Sequence, residues 1–157
     1  MNGSAISPRR VLAVASGGGH WVQLLRLRAA WDGHEVTYLT VSEDYRSDLV
    51  AAERGRLSVV VDATEWQRLL LVKLGLQVAW VVARTRPHVV ITTGAAPGLM
   101  AVLAGRLVGA RTMWIDSIAN VDELSKSGRL AGRLTSRCLT QWPDLVGDGA
   151  EYGGSVL

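Results

Sequence analysis

Three glycines and a histidine, Ser16-Gly17-Gly18-Gly19-His20, separate an apolar run from an amphipathic one. The chemistry open to such a stretch is the binding of an anion. Glycine admits positive φ and lets another molecule come close to the backbone. A helix starting at this point presents unpartnered N–H groups and the positive end of its dipole. Consecutive glycines also cost conformational entropy on folding, which disfavours a mere connection. An imidazole at His20, ordinarily ionising near neutrality, can serve as a general base or hydrogen-bond a phosphate; a role in fixing the turn is the alternative. Thr93-Gly94-Ala95-Ala96-Pro97-Gly98 is a second small-residue turn of the same kind. In Asp116-Ser117 a carboxylate ends an apolar run, where it can orient sugar hydroxyls, accept a proton or cap the following loop.

Other chemistries fit poorly. A dinucleotide fingerprint counted from Gly17 and Gly19 puts Val22 at the third glycine position, too large for close helix–strand contact. Glu43 or Asp44 could hold a ribose, but that match alone is weak. Three histidines and one cysteine without clustered spacing predict no metal centre, and no cofactor is expected. Seventeen basic against fourteen acidic residues leave a net charge of only +3, with scattered arginines, so nucleic acid is not an expected partner. A single Cys138 allows no internal disulfide and fits a reducing compartment. The apolar stretch after Arg9-Arg10 is shorter than a signal-peptide core. Residues 69–83, interrupted by Lys73 and Gln77, fall short of a membrane span, although contact with a membrane surface stays open.

The elements that must carry these residues alternate. An apolar strand over 11–15 enters the glycine turn, and a helix over 21–31 stops at Asp32-Gly33. A β-branched strand over 35–41 leads to Ser42-Glu43-Asp44, which caps a short helix reaching 53 before Gly55. A strand over 57–61, a turn at 62–65 and a long helix over 66–84 follow, the helix apolar on more than one face and stopped by Pro87. Then come a strand at 88–93, a helix at 99–108 and a strand at 111–116. After a polar loop at 117–128, a helix over 129–137 and a last strand at 138–142 complete the pattern. This alternation predicts a single α/β domain, a Rossmann-like parallel sheet of about six strands with helices on both faces. Ligands of such sheets lie beyond the carboxyl ends of the strands. The first, fourth and fifth strands end in the glycine turn, the Thr93–Gly98 turn and Asp116, so all three share that edge. His34 and His88 begin strands at the opposite edge and read as structural.

The ordered set Ser16-Gly17-Gly18-Gly19-His20-Trp21-Val22-Gln23-Leu24, Arg86-Pro87-His88-Val89-Val90-Ile91-Thr92-Thr93-Gly94, Trp114-Ile115-Asp116-Ser117, Leu124-Ser125-Lys126-Ser127-Gly128-Arg129-Leu130 and Cys138-Leu139-Thr140-Gln141-Trp142-Pro143-Asp144-Leu145 resembles one family. It is that of the bacterial PssD-type exopolysaccharide glycosyltransferase subunits, which includes the membrane-anchoring subunit of the eukaryotic enzyme adding the second GlcNAc to dolichol diphosphate. The glycine turn alone is shared with MurG-like enzymes, whereas the set ending in Gln141-Trp142-Pro143 is specific. The resemblance covers nearly the whole chain. It implies the N-terminal, acceptor-binding half of a GT-B glycosyltransferase, active only with a second subunit that binds the UDP-sugar.

On that resemblance Ser16, Gly17, Gly18, Gly19, Thr93, Gly94, Gly98, Ser117 and Asn120 surround a lipid-linked acceptor's diphosphate or sugar. His20 or Asp116 takes the acceptor proton in an inverting transfer, and Gln141, Trp142 and Pro143 face the partner. The apolar helix meets the lipid carrier, placing the chain peripherally at the cytoplasmic face of the membrane, without the anchor of the eukaryotic relatives. Two departures stand out: the family usually has Glu where this chain has Asp116, and Arg where it has Asn120. A self-contained nucleotide-dependent enzyme and a non-catalytic scaffold recruiting a transferase are the alternative readings.

Overall fold

A computed structural model describes residues 7–50, 55–64, 66–147 and 149–156. The run Val11–Ala15 is buried at every position, as a strand covered on both faces must be. Its side chains divide by parity. Leu12 and Val14 enter a cluster with Leu74, Val78 and Ala101, while Val11 and Ala13 pack with Trp21, Leu24 and Tyr38 on the other face.

This strand, β1 (Arg10–Val14), lies inside a seven-stranded sheet with β2 (Glu35–Thr40), β3 (Arg56–Val59), β4 (Val89–Thr92), β5 (Arg111–Ile115), β6 (Arg137–Thr140) and β7 (Glu151–Tyr152). The order is β3-β2-β1-β4-β5-β6-β7, and every neighbouring pair is parallel. α1 (Gly19–Arg26) and α2 (Arg46–Val50) belong to one face. α3 (Arg68–Thr85), α4 (Ala95–Leu107) and α5 (Lys126–Leu134) belong to the other. The chain runs outward from β1 through β2 to β3, then crosses back to β4 on the far side of β1. That reversal opens a crevice at the carboxyl ends of β1 and β4, the place where α/β sheets bind ligands.

The α/β alternation holds, with several boundaries moved. The helix expected over 21–31 splits into α1 and a 3-10 turn at Arg28–Trp31. Trp31 buries itself there and donates its indole N–H to the Tyr38 hydroxyl at 3.0 Å, a tertiary anchor that tightens the turn. α4 starts at Ala95, four residues before the expected 99, because Pro97 falls in its first turn, where a missing N–H does no harm. α5 starts at Lys126 instead of 129, since the Ser125 hydroxyl accepts from Gly128 N and caps it. Ser42 caps the 3-10 turn at Glu43–Tyr45 as expected. The part of the short helix expected over 51–53 lies outside the described residues. A seventh strand forms at Glu151–Tyr152, too short to leave a periodic signal.

Candidate functional site

Ala15 N–H donates to Leu39 O, and the Ser16 carbonyl accepts from the Thr40 hydroxyl at 2.7 Å, so the end of β1 is pinned before the chain turns. Gly18 then takes φ 55, ψ −129 as the N-cap of α1, a conformation that favours glycine. Its N–H donates to the Tyr45 hydroxyl at 2.8 Å. A Cβ on Gly17 would lie 2.9 Å from that same hydroxyl, so any larger residue there would push Tyr45 off its bond to Gly18. Gly18 and Gly19 are exposed, and a Cβ on either would meet nothing within 4 Å, which leaves space beside the start of α1 for a ligand.

His20 spans the crevice. Its Nδ1 lies 2.8 Å from Thr93 O, and the Thr93 hydroxyl donates to His20 O at 2.7 Å. A carbonyl only accepts, so Nδ1 is the donor, and in the neutral ring the lone pair is on Nε2. Gly94, at φ 132 and ψ −167, allows this approach: a Cβ there would stand 2.9 Å from His20 Cε1. Ala95 follows with φ 65, a strained left-handed residue for a side chain with a Cβ. The amino termini of α1 and α4 therefore meet at the crevice, joined by a histidine held in one tautomer. Such an arrangement can hold an anion and take a proton from a hydroxyl.

Asp116 lies close in the fold but does different work. Only 2% of it is exposed. Oδ1 accepts from Trp114 Nε1 at 3.0 Å and Ser125 Oγ at 2.6 Å; Oδ2 accepts from Asn120 Nδ2 at 2.9 Å and Ser125 N at 3.0 Å. A carboxylate has about four acceptor positions, and all are used. The side chain thus ties the 117–125 loop to β5, and the capping alternative fits it better than the role of base. Asn120 is one of these ties, and the Ser117 hydroxyl accepts from Ala119 N at 3.3 Å within the same loop.

Thr93 and Gly94 are buried beneath His20, so they support the ring and do not line the crevice, and Gly98 does not belong to its surface either. It is buried, and a Cβ on it would overlap the Thr92 hydroxyl, so its smallness serves helix–strand packing. Gln141 is also internal: Nε2 donates to Asp116 O at 2.9 Å, and Oε1 accepts from Val156 N at 3.0 Å. Trp142 is half-buried, donating Nε1–H to Ile118 O at 2.9 Å, and Pro143 is exposed. Of the expected partner-facing residues, only these two reach the surface. His88 is structural as expected, accepting from Arg10 N at 3.0 Å.

Residue-by-residue reading missed Gln23. It is buried one turn after His20, donates to Asp116 O at 3.3 Å and accepts from Ile118 N at 3.4 Å. The signal was available: a glutamine on the apolar side of an eight-residue helix needs partners. Tyr45 and Ser125 left no comparable trace, because each acts across a turn. Burial pushes the Cys138 thiol up to about 11, with the negative charges of Asp116 and Glu151 adding to the effect. At the outer edge, Arg137 holds the exposed Glu151 carboxyl below its ordinary range through a 2.6 Å contact.

Comparison with known proteins extends these observations. The family model "Oligosaccharide biosynthesis protein Alg14 like" matches residues 11–156. The chain is 30% identical over 169 aligned positions to UDP-N-acetylglucosamine transferase subunit ALG14 of Eremothecium gossypii, covering 88% of this chain and 75% of that protein. It is 29% identical over 143 positions to UDP-N-acetylglucosamine--N-acetylmuramyl-(pentapeptide) pyrophosphoryl-undecaprenol N-acetylglucosamine transferase of Prochlorococcus marinus, covering 85% of this chain and 39% of that one. Among solved structures, Acinetobacter baumannii MurG matches with a TM-score of 0.73 at 14% identity, over 89% of this chain and 43% of MurG. At that identity the likeness concerns the fold, which is that of the N-terminal half of a GT-B glycosyltransferase. The match along almost the whole sheet, together with the Eremothecium relative, means that the chain belongs to the Alg14-like family of oligosaccharide biosynthesis proteins.

Proposed function

We propose that this chain is a single acceptor-binding domain, the acceptor-side subunit of a two-component glycosyltransferase of the bacterial PssD type. A second subunit holds the UDP-sugar, and the acceptor is a saccharide on a lipid diphosphate. The observation that carries this reading is the His20–Thr93 bridge between two helix amino termini. The designation of the Eremothecium relative as a transferase subunit supports the two-component arrangement.

In this mechanism the N–H groups at the start of α1 and the Ser16–Gly19 turn hold the acceptor's diphosphate or first sugar. His20 Nε2 accepts the proton of the attacking hydroxyl. The hydroxyl oxygen bonds to the anomeric carbon as the bond from that carbon to UDP breaks on the partner's side, inverting the configuration. The resulting imidazolium is stabilised by its hydrogen bond to Thr93 O, much as a base in a triad is held by its orienting acceptor.

The outer face of α3 supports a peripheral position at the cytoplasmic surface of the membrane. Leu69 is 88% exposed, and Val72, Leu76 and Trp80 continue its stripe; on α4, Leu107 is 90% exposed. The charged residues of these two helices, Arg68, Lys73, Arg84 and Arg106, are all cationic. An apolar stripe flanked by cations suits an anionic bilayer surface. Among the described residues, no helix is long and apolar enough to cross a membrane.

The test is reconstitution with the donor-binding partner, UDP-N-acetylglucosamine and a polyprenyl-diphosphate-linked sugar. Transfer requires both chains, and His20→Ala lowers it by orders of magnitude while the two chains still associate. Transfer by this chain alone would overturn the two-component reading. Unchanged transfer by the His20→Ala pair would make the chain a scaffold.

A further inference from the structure

The edge of the sheet opposite His20 carries a feature that sugar transfer does not use. Around the amino ends of β1, β2 and β3 opens a cleft of about 930 Å³, the size of a small-molecule site. Arg10, Arg56 and Arg84 line it, and among the described residues that line it Glu35 is the only carboxylate. Arg10 is fixed in place, its Nε–H shared between Thr85 O at 3.1 Å and Arg86 O at 2.9 Å at the end of α3. The Arg84 guanidinium lies 5.5 Å from the centre of the Trp80 ring, held over its face. On the same wall, His34 buries its Nδ1 without a hydrogen-bond partner, the one such side-chain atom among the described residues.

Ser58, Trp80 and Val81 also line a second, neighbouring groove of about 390 Å³ between β3 and α3, whose lining includes Val59, Val60 and Leu76. β3 is the terminal strand of the sheet, so among the described residues no further strand covers this side. Gln77 Oε1 accepts from Val61 N at 2.8 Å, satisfying the first outward amide beyond β3. The two hollows adjoin along Ser58, Trp80 and Val81, and together they make a trough that is cationic at the amino ends of the strands and apolar along Leu76 and Trp80.

We propose that this trough binds a single anionic amphiphile, a phosphate-headed lipid. Its phosphate pairs with the guanidiniums of Arg56 and Arg84 beside the fixed Arg10, the planar forks best suited to phosphate. Its hydrocarbon chain lies in the groove against Leu76 and Trp80. A nucleotide would share the phosphate contacts, but the apolar groove suits a chain and offers a ribose little to bond. The site is at the far edge from the glycine turn and stands whether or not the chain transfers sugar.

The test uses the full chain and dihexanoyl phosphatidic acid below its micelle concentration, read by the NMR signals of the tryptophan indole N–H groups, with Trp80 assigned by Trp80→Phe. The lipid shifts the Trp80 signal saturably, and Arg56→Gln with Arg84→Gln weakens binding by about tenfold or more. Inorganic phosphate binds more weakly than the lipid, and His20→Ala leaves the lipid's affinity unchanged. Three results would overturn the proposal: an unmoved Trp80 signal, inorganic phosphate binding as tightly as the lipid, or binding only to phosphatidylglycerol vesicles. Arginine variants that melt like the parent but bind the lipid equally well would do the same. Loss of transfer in His20→Ala bears on the sugar chemistry alone, so the two readings fail separately.

Discussion

His20 and Asp116 stand near the same sheet edge, and each is a side chain able to take a proton, yet the fold treats them oppositely. His20 has one ring nitrogen committed to Thr93 O and the other uncommitted, beside a backbone opened by glycines. Asp116 has both oxygens committed twice over and is sealed from solvent. Residue type is therefore a poor guide to which group does chemistry; the number of acceptor positions left over is a better one. A half-satisfied group at a crevice can react, whereas a saturated buried one can only hold its neighbours in place.

The largest expected effect breaks this contrast most directly. His20→Ala should lower transfer by the reconstituted pair by about 10²–10⁴-fold, the range for losing a general base. Its melting temperature should stay near that of the parent, because the ring makes one hydrogen bond. Asp116→Ala should do the reverse. It strands the donors Trp114 Nε1, Ser125 N and Asn120 Nδ2 and loosens the cap of α5, destabilising the chain by about 3 kcal/mol. Activity per folded molecule should change far less. Denaturant unfolding of Asp116→Asn, paired with kinetics, closes the comparison: full stability with lost transfer would make Asp116 the base.

Gly94→Ala comes next in size and sharpens the His20 side. Its φ of 132 lies where only glycine is at ease, and the new Cβ would press on a ring carbon 2.9 Å away. A loss of about 1–3 kcal/mol in stability follows from the backbone strain. Because the methyl group also displaces the imidazole, kcat should fall by more than KM rises. If kcat is untouched while stability drops, the ring's position does not matter to the reaction.

How far the residues alone reveal this contrast depends on the distance over which each contact acts. The alternation of apolar and helical runs, the glycine turn and the convergence of the first, fourth and fifth strand ends depend on local pattern, and the fold keeps them. Saturation of Asp116 depends on Asn120 and Ser125 folding back across a loop with no periodicity, so its environment was not legible. Gly98 looked like Gly94 because a glycine's reason does not show in its identity: one makes room for a histidine, the other for Thr92 beneath a helix. The start of α4 falls inside the small-residue turn at 93–98, because a first helical turn accepts Pro97 and small residues do not distinguish a turn from a helix start. Gln23 shows the opposite case, a polar residue on a buried helix face that a stricter inventory of unsatisfied groups would have picked out.

The smallest effect probes the Asp116 side through its neighbour. Cys138 pairs with Trp114 across β5 and β6, and its thiol is pushed up to about 11 by burial first and by Asp116 second. A raised thiol keeps its proton longer in the folded chain than in the unfolded one. The stability this contributes is therefore complete below the ordinary thiol range and is lost as pH rises through about 11. At about pH 8 the native thiol should react with iodoacetamide roughly a hundredfold more slowly than the unfolded chain, as its thiolate fraction dictates. Removing the charge with Asp116→Asn should speed that reaction by less than the loss of burial would, since burial is the larger cause. The pH profile tells why: a lower midpoint with an unchanged plateau means lost electrostatic repulsion around an intact loop. An unchanged midpoint with a higher plateau means that the loop has opened, and Asp116 would then be holding its surroundings closed more than charging them.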